Sequence, residues 1–139
     1  MKNENRRTPG VGKKKKKSVK RKPIILRGAR QVGKSWLARE LGKTFEHFVE
    51  INFEKNPDFS YFFKGNLDPY SIVTDVTQYT QKKIIPGKTL LFLDEIQVCP
   101  RAIISLRYFY EDLPELHVIA AGSLIELEMQ NISVPVGRV

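Results

Sequence analysis

Eight residues, Gly28-Ala29-Arg30-Gln31-Val32-Gly33-Lys34-Ser35, constrain this chain more than any other stretch, because they fit G-x-x-x-x-G-K-[ST] at every fixed position. Glycine at 28 and 33 lets the backbone curl until successive N–H groups face an anion. Lys34 has the reach for outer phosphates, and the Ser35 hydroxyl suits Mg²⁺. The setting agrees. Ile24-Ile25-Leu26, bounded by Pro23, is an apolar run of the kind a buried strand needs, and a helix follows with Trp36, Leu37 and Leu41 spaced along one face until Gly42 stops it. The first turn of that helix adds its own unpaired N–H groups to the anion site. Gly28 to Ser35, with Trp36 next to them, are therefore the candidate nucleotide-binding residues, and the ligand they imply carries a triphosphate.

Downstream, strands and helices alternate. His47 to Phe53 is rich in β-branched and aromatic residues and predicts a second strand, which Asn56-Pro57-Asp58 breaks. Phe59 to Phe63 predicts a short helical turn whose rings pack on the sheet. Asp68-Pro69 is a cap followed by a first-turn proline, and Ile72, Val73, Val76 and Tyr79 form the apolar face of the helix it starts. Pro86-Gly87 turns the chain into Thr89 to Leu93, continuous enough for a strand covered on both sides. Pro100 opens a helix carrying Ile103, Ile104, Leu106, Arg107 and Tyr108, which ends near Pro114; Leu116 to Ala121 makes another strand, stopped by Gly122. This order predicts an α/β fold, a mostly parallel sheet with helices on both faces in three layers.

At 139 residues and 41% hydrophobic, the chain has the size of one domain with a core. No apolar run is long enough for a transmembrane helix, and no apolar segment follows the N-terminal charge as in a secretory leader, so the expectation is a cytoplasmic protein without membrane contact. Cys99 is the only cysteine, expected as a reduced thiol at a helix start. The net charge of +9 is concentrated in residues 1 to 22. Of 24 basic and 15 acidic residues, eleven basic residues and Glu4 alone fall there, leaving thirteen basic and fourteen acidic in 23 to 139. A like-charge block with almost nothing apolar is expected to be a disordered tail. It is either a solvated leader or a weak, salt-sensitive contact for nucleic acid.

The strand at 89 to 93 leads into Asp94-Glu95. In open parallel sheets ligands sit beyond the carboxyl ends of the strands, so these side chains should emerge beside the phosphate loop. Asp94 is the candidate for the metal together with Ser35, and Glu95 for orienting and polarising an attacking water. Ser123, after the next strand, is either a phosphate sensor or the cap of a helix from Leu124. No N-K-x-D guanine-reading sequence occurs and Asp94 is followed by Glu, which argues against a GTPase. A small-molecule kinase would not need Glu95 beside Asp94.

Taken together, Ile25 to Ser35, Val49 to Glu54, Leu91 to Gln97, Ala121 to Leu124 and Pro135 to Val139 resemble a group of prokaryotic AAA-type P-loop ATPases. The resemblance covers residues 22 to 139. It implies a P-loop NTPase core over 23–139 in which the phosphate-loop strand lies beside the sensor strand and then the Asp-Glu strand, with ATP and Mg²⁺ as ligands. By it Lys34 and Ser35 bind phosphate and metal, Asp94 is the metal residue, Glu95 the catalytic glutamate, Ser123 the sensor and Arg138 a candidate arginine finger acting in cis or on a neighbouring subunit. Family members continue into a last core strand, a helical lid, a winged-helix-like region and a C-terminal domain. A chain stopping at Val139 is therefore expected to be incomplete at its C-terminal end, with an open sheet edge beside the phosphate-loop strand and a tendency to self-associate. Upstream, the lysine run stands where the family has a helix framing the base. The competing reading is a truncated, inactive nucleotide-binding remnant or a basic nucleic-acid adaptor.

If the charge of the N-terminal block binds polyanions, deleting residues 1 to 22 should abolish retention on a polyanion column at low salt. Retention that survives the deletion would place the affinity on residues 23 to 139.

Overall fold

The computed structural model describes residues 22–26, 31–123 and 137–138. The expected tail over 1–21 and the loop residues Gly28, Ala29 and Arg30 lie outside the described residues. Five strands form one sheet: β1 (Ile24–Leu26), β2 (His47–Asn52), β3 (Thr89–Asp94), β4 (His117–Ala121) and β5 (Gly137–Arg138). Three α-helices accompany them, α1 (Gln31–Gly42), α2 (Pro69–Thr80) and α3 (Pro100–Asp112). The order across the sheet is β2-β3-β4-β1-β5, and all four pairings are parallel. The phosphate-loop strand thus lies beside β4, and β4 beside the strand of Asp94.

Register explains why the chemistry collects at one edge. His47 pairs with Thr89 and Asn52 with Asp94; Leu93 pairs with Ala120, and Ala121 with Leu26. Parallel strands held in these registers end together, so the chain leaves Leu26, Asn52, Asp94 and Ala121 on the same side of the sheet.

Alternation along the strands sorts side chains between two layers. Leu90 and Phe92 of β3 join Leu26, Ile119, Ala121 and Ala38 of α1 in a small core. Leu91 and Leu93 face the other way, with Val49, Ile51, Val118 and Ala120, into the larger core closed by Ile72 and Val76 of α2 and by Ala102, Ile103, Leu106 and Phe109 of α3. Helices on both faces complete the three-layer α/β arrangement of a P-loop NTPase-like core. Every residue of β3 is buried, as its unbroken apolar run requires.

Local signals account for most boundaries. Asp68 Oδ1 accepts from the Tyr70 amide at 3.1 Å and its Oδ2 from the Ser71 hydroxyl at 3.2 Å, capping α2 behind a first-turn proline. The aromatic stretch forms a 3-10 turn over Pro57–Phe63. Phe63 packs edge-on to Phe53 with centroids 5.5 Å apart, and Phe59 edge-on to Tyr79 at 5.2 Å. Arg101 Nε and Nη2 donate to the carbonyls of Phe63 and Gly65, each at 2.6 Å, so the end of the turn is fixed to the start of α3. Cys99 is a free, buried thiol just before α3.

Three expectations are corrected. Among the described side chains the buried face of α1 is not Trp36, Leu37 and Leu41, which are exposed, but Lys34, Ser35 and Ala38, with Gly42 buried at the helix end. The helix begins inside the loop pattern, at Gln31, and its orientation is set by two polar anchors instead of an apolar stripe. On α3, Ile103 and Leu106 of the apolar run are buried together with Ala102 and Phe109, while Tyr108 sits at the surface. The free edge of β1 is not empty either: Gly137 and Arg138 pair with Ile24 and Ile25. Residues 124–136 lie outside the described residues, and with them the helix Ser123 was expected to cap.

Phe92 is fully buried, and its ring is stacked near that of Phe48 at 6.3 Å between centroids. Phe92→Ala should cost about 3–5 kcal/mol of stability by denaturant unfolding. Tyr61→Ala, at an exposed ring, should change it by no more than about 0.5 kcal/mol.

Candidate functional site

Side chains from α1 and the end of β3 meet backbone groups of the residues after β4 at the carboxyl edge of the sheet. Ser35 Oγ donates to Asp94 Oδ2 at 2.9 Å. The Glu95 amide donates to Asp94 Oδ1, also at 2.9 Å. Lys34 Nζ donates to the Gly122 carbonyl at 2.8 Å. Four residues predicted from the sequence are thereby brought together: Lys34 and Ser35 are 7% and 8% exposed, Asp94 and Glu95 2% and 8%. Ser35, Asp94 and Glu95, with Arg39, Asn52, Glu54 and Lys55, line a cavity of about 270 Å³.

Backbone geometry at the strand end aims Glu95. Its φ of 54° lies in the left-handed region, unusual for a residue with a side chain and costing about 1–2 kcal/mol. The short bond from its own amide to Asp94 helps to offset that cost. A 3-10 turn over Ile96–Val98 follows at once, so the chain reverses away from the sheet while Glu95 stays at its edge.

Burial sets the electrostatics. Desolvation lowers the Lys34 ammonium from its ordinary pKa, opposed by the negative charges of Glu95 and Asp94. Desolvation also raises the Asp94 carboxyl, against the bonds from Ser35 and the Glu95 amide that favour its charged form. The buried carboxylates Asp94 and Glu95 outnumber the one buried ammonium, Lys34, and a triphosphate would bring more negative charge to that buried group. A divalent cation is what such a site lacks. The donor set fits Mg²⁺, which takes hard oxygen ligands, commonly one carboxylate, a hydroxyl and phosphate oxygens. Asp94 and Ser35 offer a carboxylate and a hydroxyl already in contact.

The glycine at 33 points the same way. A side-chain carbon built there meets no described atom within 4 Å, so packing within the described chain does not demand glycine. The open space there leaves room for a ligand to approach the backbone. Gln31 and Val32 fall in the first turn of α1. Trp36 follows Ser35 on α1 but is 61% exposed and does not line the cavity. Ser123 lies at the end of β4 with its amide donating to Gln97 Oε1 at 3.2 Å. Arg138 is in β5, opposite Ile25.

Two residues at the site were not singled out from the sequence. Gln97 donates from Nε2 to Glu95 Oε1 at 2.8 Å. Arg39 holds Glu50 through two bonds, Nε to Oε1 at 2.9 Å and Nη2 to Oε2 at 2.8 Å, joining α1 to β2 at the cavity rim. The side-chain hydrogen bond from Glu50 raises the Arg39 guanidinium above its usual pKa. Gln97 follows Glu95 by two places in a polar strand end, a weak signal. Arg39 and Glu50 are charged residues on amphipathic elements, indistinguishable in sequence from a solvated face.

The raised Asp94 pKa carries a definite pH sign. Folding holds this proton more tightly than the unfolded chain does, so Asp94 costs nothing below about pH 3.9, and its cost grows as pH rises from there through the folded pKa. Asp94→Asn keeps an acceptor for the Glu95 amide and an NH₂ for the Ser35 hydroxyl. Without divalent cations it should melt above the wild type at pH 7, by about 2–4 °C for each kcal/mol relieved, and the difference should vanish near pH 3.5. Melting curves at the two pH values check this, and a variant less stable than the wild type at pH 7 would contradict it.

None of the curated proteins matches the chain. A family model described as an AAA domain matches residues 20–139, which take in the sheet, the three helices and every residue of the site above. The chain belongs to the AAA domain family, whose members are nucleotide-binding ATPase-like proteins.

Proposed function

We propose that this domain binds ATP with Mg²⁺ and hydrolyses it to ADP and phosphate. The observation that carries this reading is the convergence of Lys34, Ser35, Asp94 and Glu95, drawn from α1 and the end of β3, into one buried hydrogen-bonded group at the carboxyl edge of a parallel sheet.

In this reading the helical amides at the start of α1 and the Lys34 ammonium hold the phosphates. Ser35 and Asp94 hold Mg²⁺, which when bound would neutralise phosphate charge and help order the leaving group. Lys34 gains from the exchange: its buried charge, now shared with the Gly122 carbonyl, acquires phosphate oxygens that offset its lost hydration. Glu95 accepts a hydrogen bond from water and orients it for in-line attack on the terminal phosphorus, taking up the proton as the new O–P bond forms and the bond from that phosphorus to the β,γ-bridging oxygen breaks, so that ADP leaves with the bonding electron pair. Ser123, at the end of the neighbouring strand, lies where a side chain could report on that phosphate. Among the described residues no helix is long and apolar enough to cross a membrane.

Lys34→Ala should weaken ATP binding by roughly 10- to 150-fold, the worth of a charge-assisted hydrogen bond of about 1.5–3 kcal/mol. Glu95→Gln should leave Mg²⁺-ATP affinity near the wild type and reduce turnover by about 10²- to 10⁴-fold. Calorimetric titration and a phosphate-release assay separate the two effects. Turnover indifferent to Lys34→Ala, or undiminished by Glu95→Gln, would defeat the proposal.

A further inference from the structure

A side chain outside the phosphate loop and the Asp-Glu pair closes the site into a ring. Ser35 Oγ bonds Asp94 Oδ2, and the Glu95 amide bonds Asp94 Oδ1. Gln97 Nε2 then donates to Glu95 Oε1 at 2.8 Å, while Gln97 Oε1 accepts from the Ser123 amide at 3.2 Å. Lys34 Nζ donates to the Gly122 carbonyl, and the covalent steps Gly122-Ser123 and Lys34-Ser35 complete the circuit. The amide orientation is forced: a backbone N–H only donates, so Ser123 must face Oε1, which leaves Nε2 for the carboxylate.

We infer that Gln97 is a positioning residue that holds the Glu95 carboxylate and couples it to the Gly122–Ser123 loop, on which Lys34 also pulls. The inference rests on the role proposed above for Glu95. A glutamate side chain has three rotatable bonds, and a general base that wanders spends little time in line with its water. A donor on Oε1 removes that freedom and leaves Oε2 to face the reaction. Few other side chains can do this. Glutamate at 97 would set a second carboxylate against the first, leucine offers no polar atom, and asparagine is one methylene short of spanning Glu95 and Ser123.

Local backbone is shaped for the link. The left-handed turn at Glu95 and the 3-10 turn after it bring residue 97 back over the end of β4. Glycine at 122 leaves room for it: a Cβ there would lie 2.6 Å from Gln97 Oε1. Gly122→Ala therefore displaces the amide without removing any atom of the circuit, and it collides mainly with the far end of a side chain that can move. The loop that receives the Lys34 ammonium is then mechanically tied to the base, so a phosphate that draws on Lys34 acts on both.

The test compares Gln97→Ala, Gln97→Glu and Gly122→Ala with the wild type. Each should bind Mg²⁺-ATP within about threefold of the wild type and lose about tenfold or more in kcat with little change in KM. In a Glu95→Gln background Gln97→Ala should cause no further loss, because its effect passes through Glu95. Wild-type kcat in Gln97→Ala, or an equal loss in both backgrounds, overturns the inference. A second readout needs no turnover. The Gln97 side-chain ¹⁵N–¹H signals, identified by their disappearance in Gln97→Glu, should shift in Glu95→Ala and in Gly122→Ala. Signals unmoved by Glu95→Ala overturn the inference even where the wild type hydrolyses ATP. A wild type without turnover whose Gln97 signals do shift defeats the ATPase reading alone.

Discussion

Strand β3 buries all six of its residues, the last of them Asp94, and leads directly to Glu95, so that two carboxylates stand at an edge where both stay under a tenth exposed. Charge in such a place must be paired, bonded or protonated. Each outcome is visible in part. The Ser35 hydroxyl and the Glu95 amide bond Asp94, the Lys34 ammonium lies near both carboxylates, and the Asp94 pKa still rises. The bonds present do not fully replace lost hydration. That residual cost is what a cation bound as proposed above would offset.

Parallel topology is what lets the cost accumulate in one spot. In an antiparallel sheet the ends of neighbouring strands point in opposite directions, and β1, β3 and β4 could not all discharge their following residues to one edge. Here β4 separates β1 from β3, so the end of β1 and the acidic pair sit two strands apart and the residues after β4 fall between them. Gly122 and Ser123 occupy that middle position. They receive Lys34 from one side and Gln97 from the other.

Sequence exposed the features whose cause is local. The β1 and β3 strands are apolar runs with sharp ends, and α2 carries its cap and its proline. The face of α1 was hidden because residues 34 and 35 look polar, while Trp36 and Leu37 look like core. Burial there is decided by what the sheet edge offers across space, a carboxylate and a carbonyl, and not by hydropathy. Gln97 was hidden for a related reason: its partners are 2 and 26 residues away, and only the left-handed backbone at Glu95 brings the nearer one into reach. The two-residue strand β5 pairs with β1 by main-chain bonding, which leaves no mark in side-chain pattern.

An asymmetry between the two cores bears on how the site works. The face toward α2 and α3 holds most of the buried apolar residues among those described, whereas among the described side chains of α1 the buried apolar one is Ala38. Apolar burial at roughly 25 cal/mol per Å² therefore ties α2 and α3 down firmly and α1 lightly. What holds α1 in addition is polar: Lys34 to Gly122, Ser35 to Asp94, and the paired bonds from Arg39 to Glu50. Two of these three attachments use the groups that a phosphate and a metal would claim. A ligand bound at this edge as proposed would compete directly with the contacts that seat the helix, while Asp94 and Gly122 stand at the ends of strands packed against the larger core.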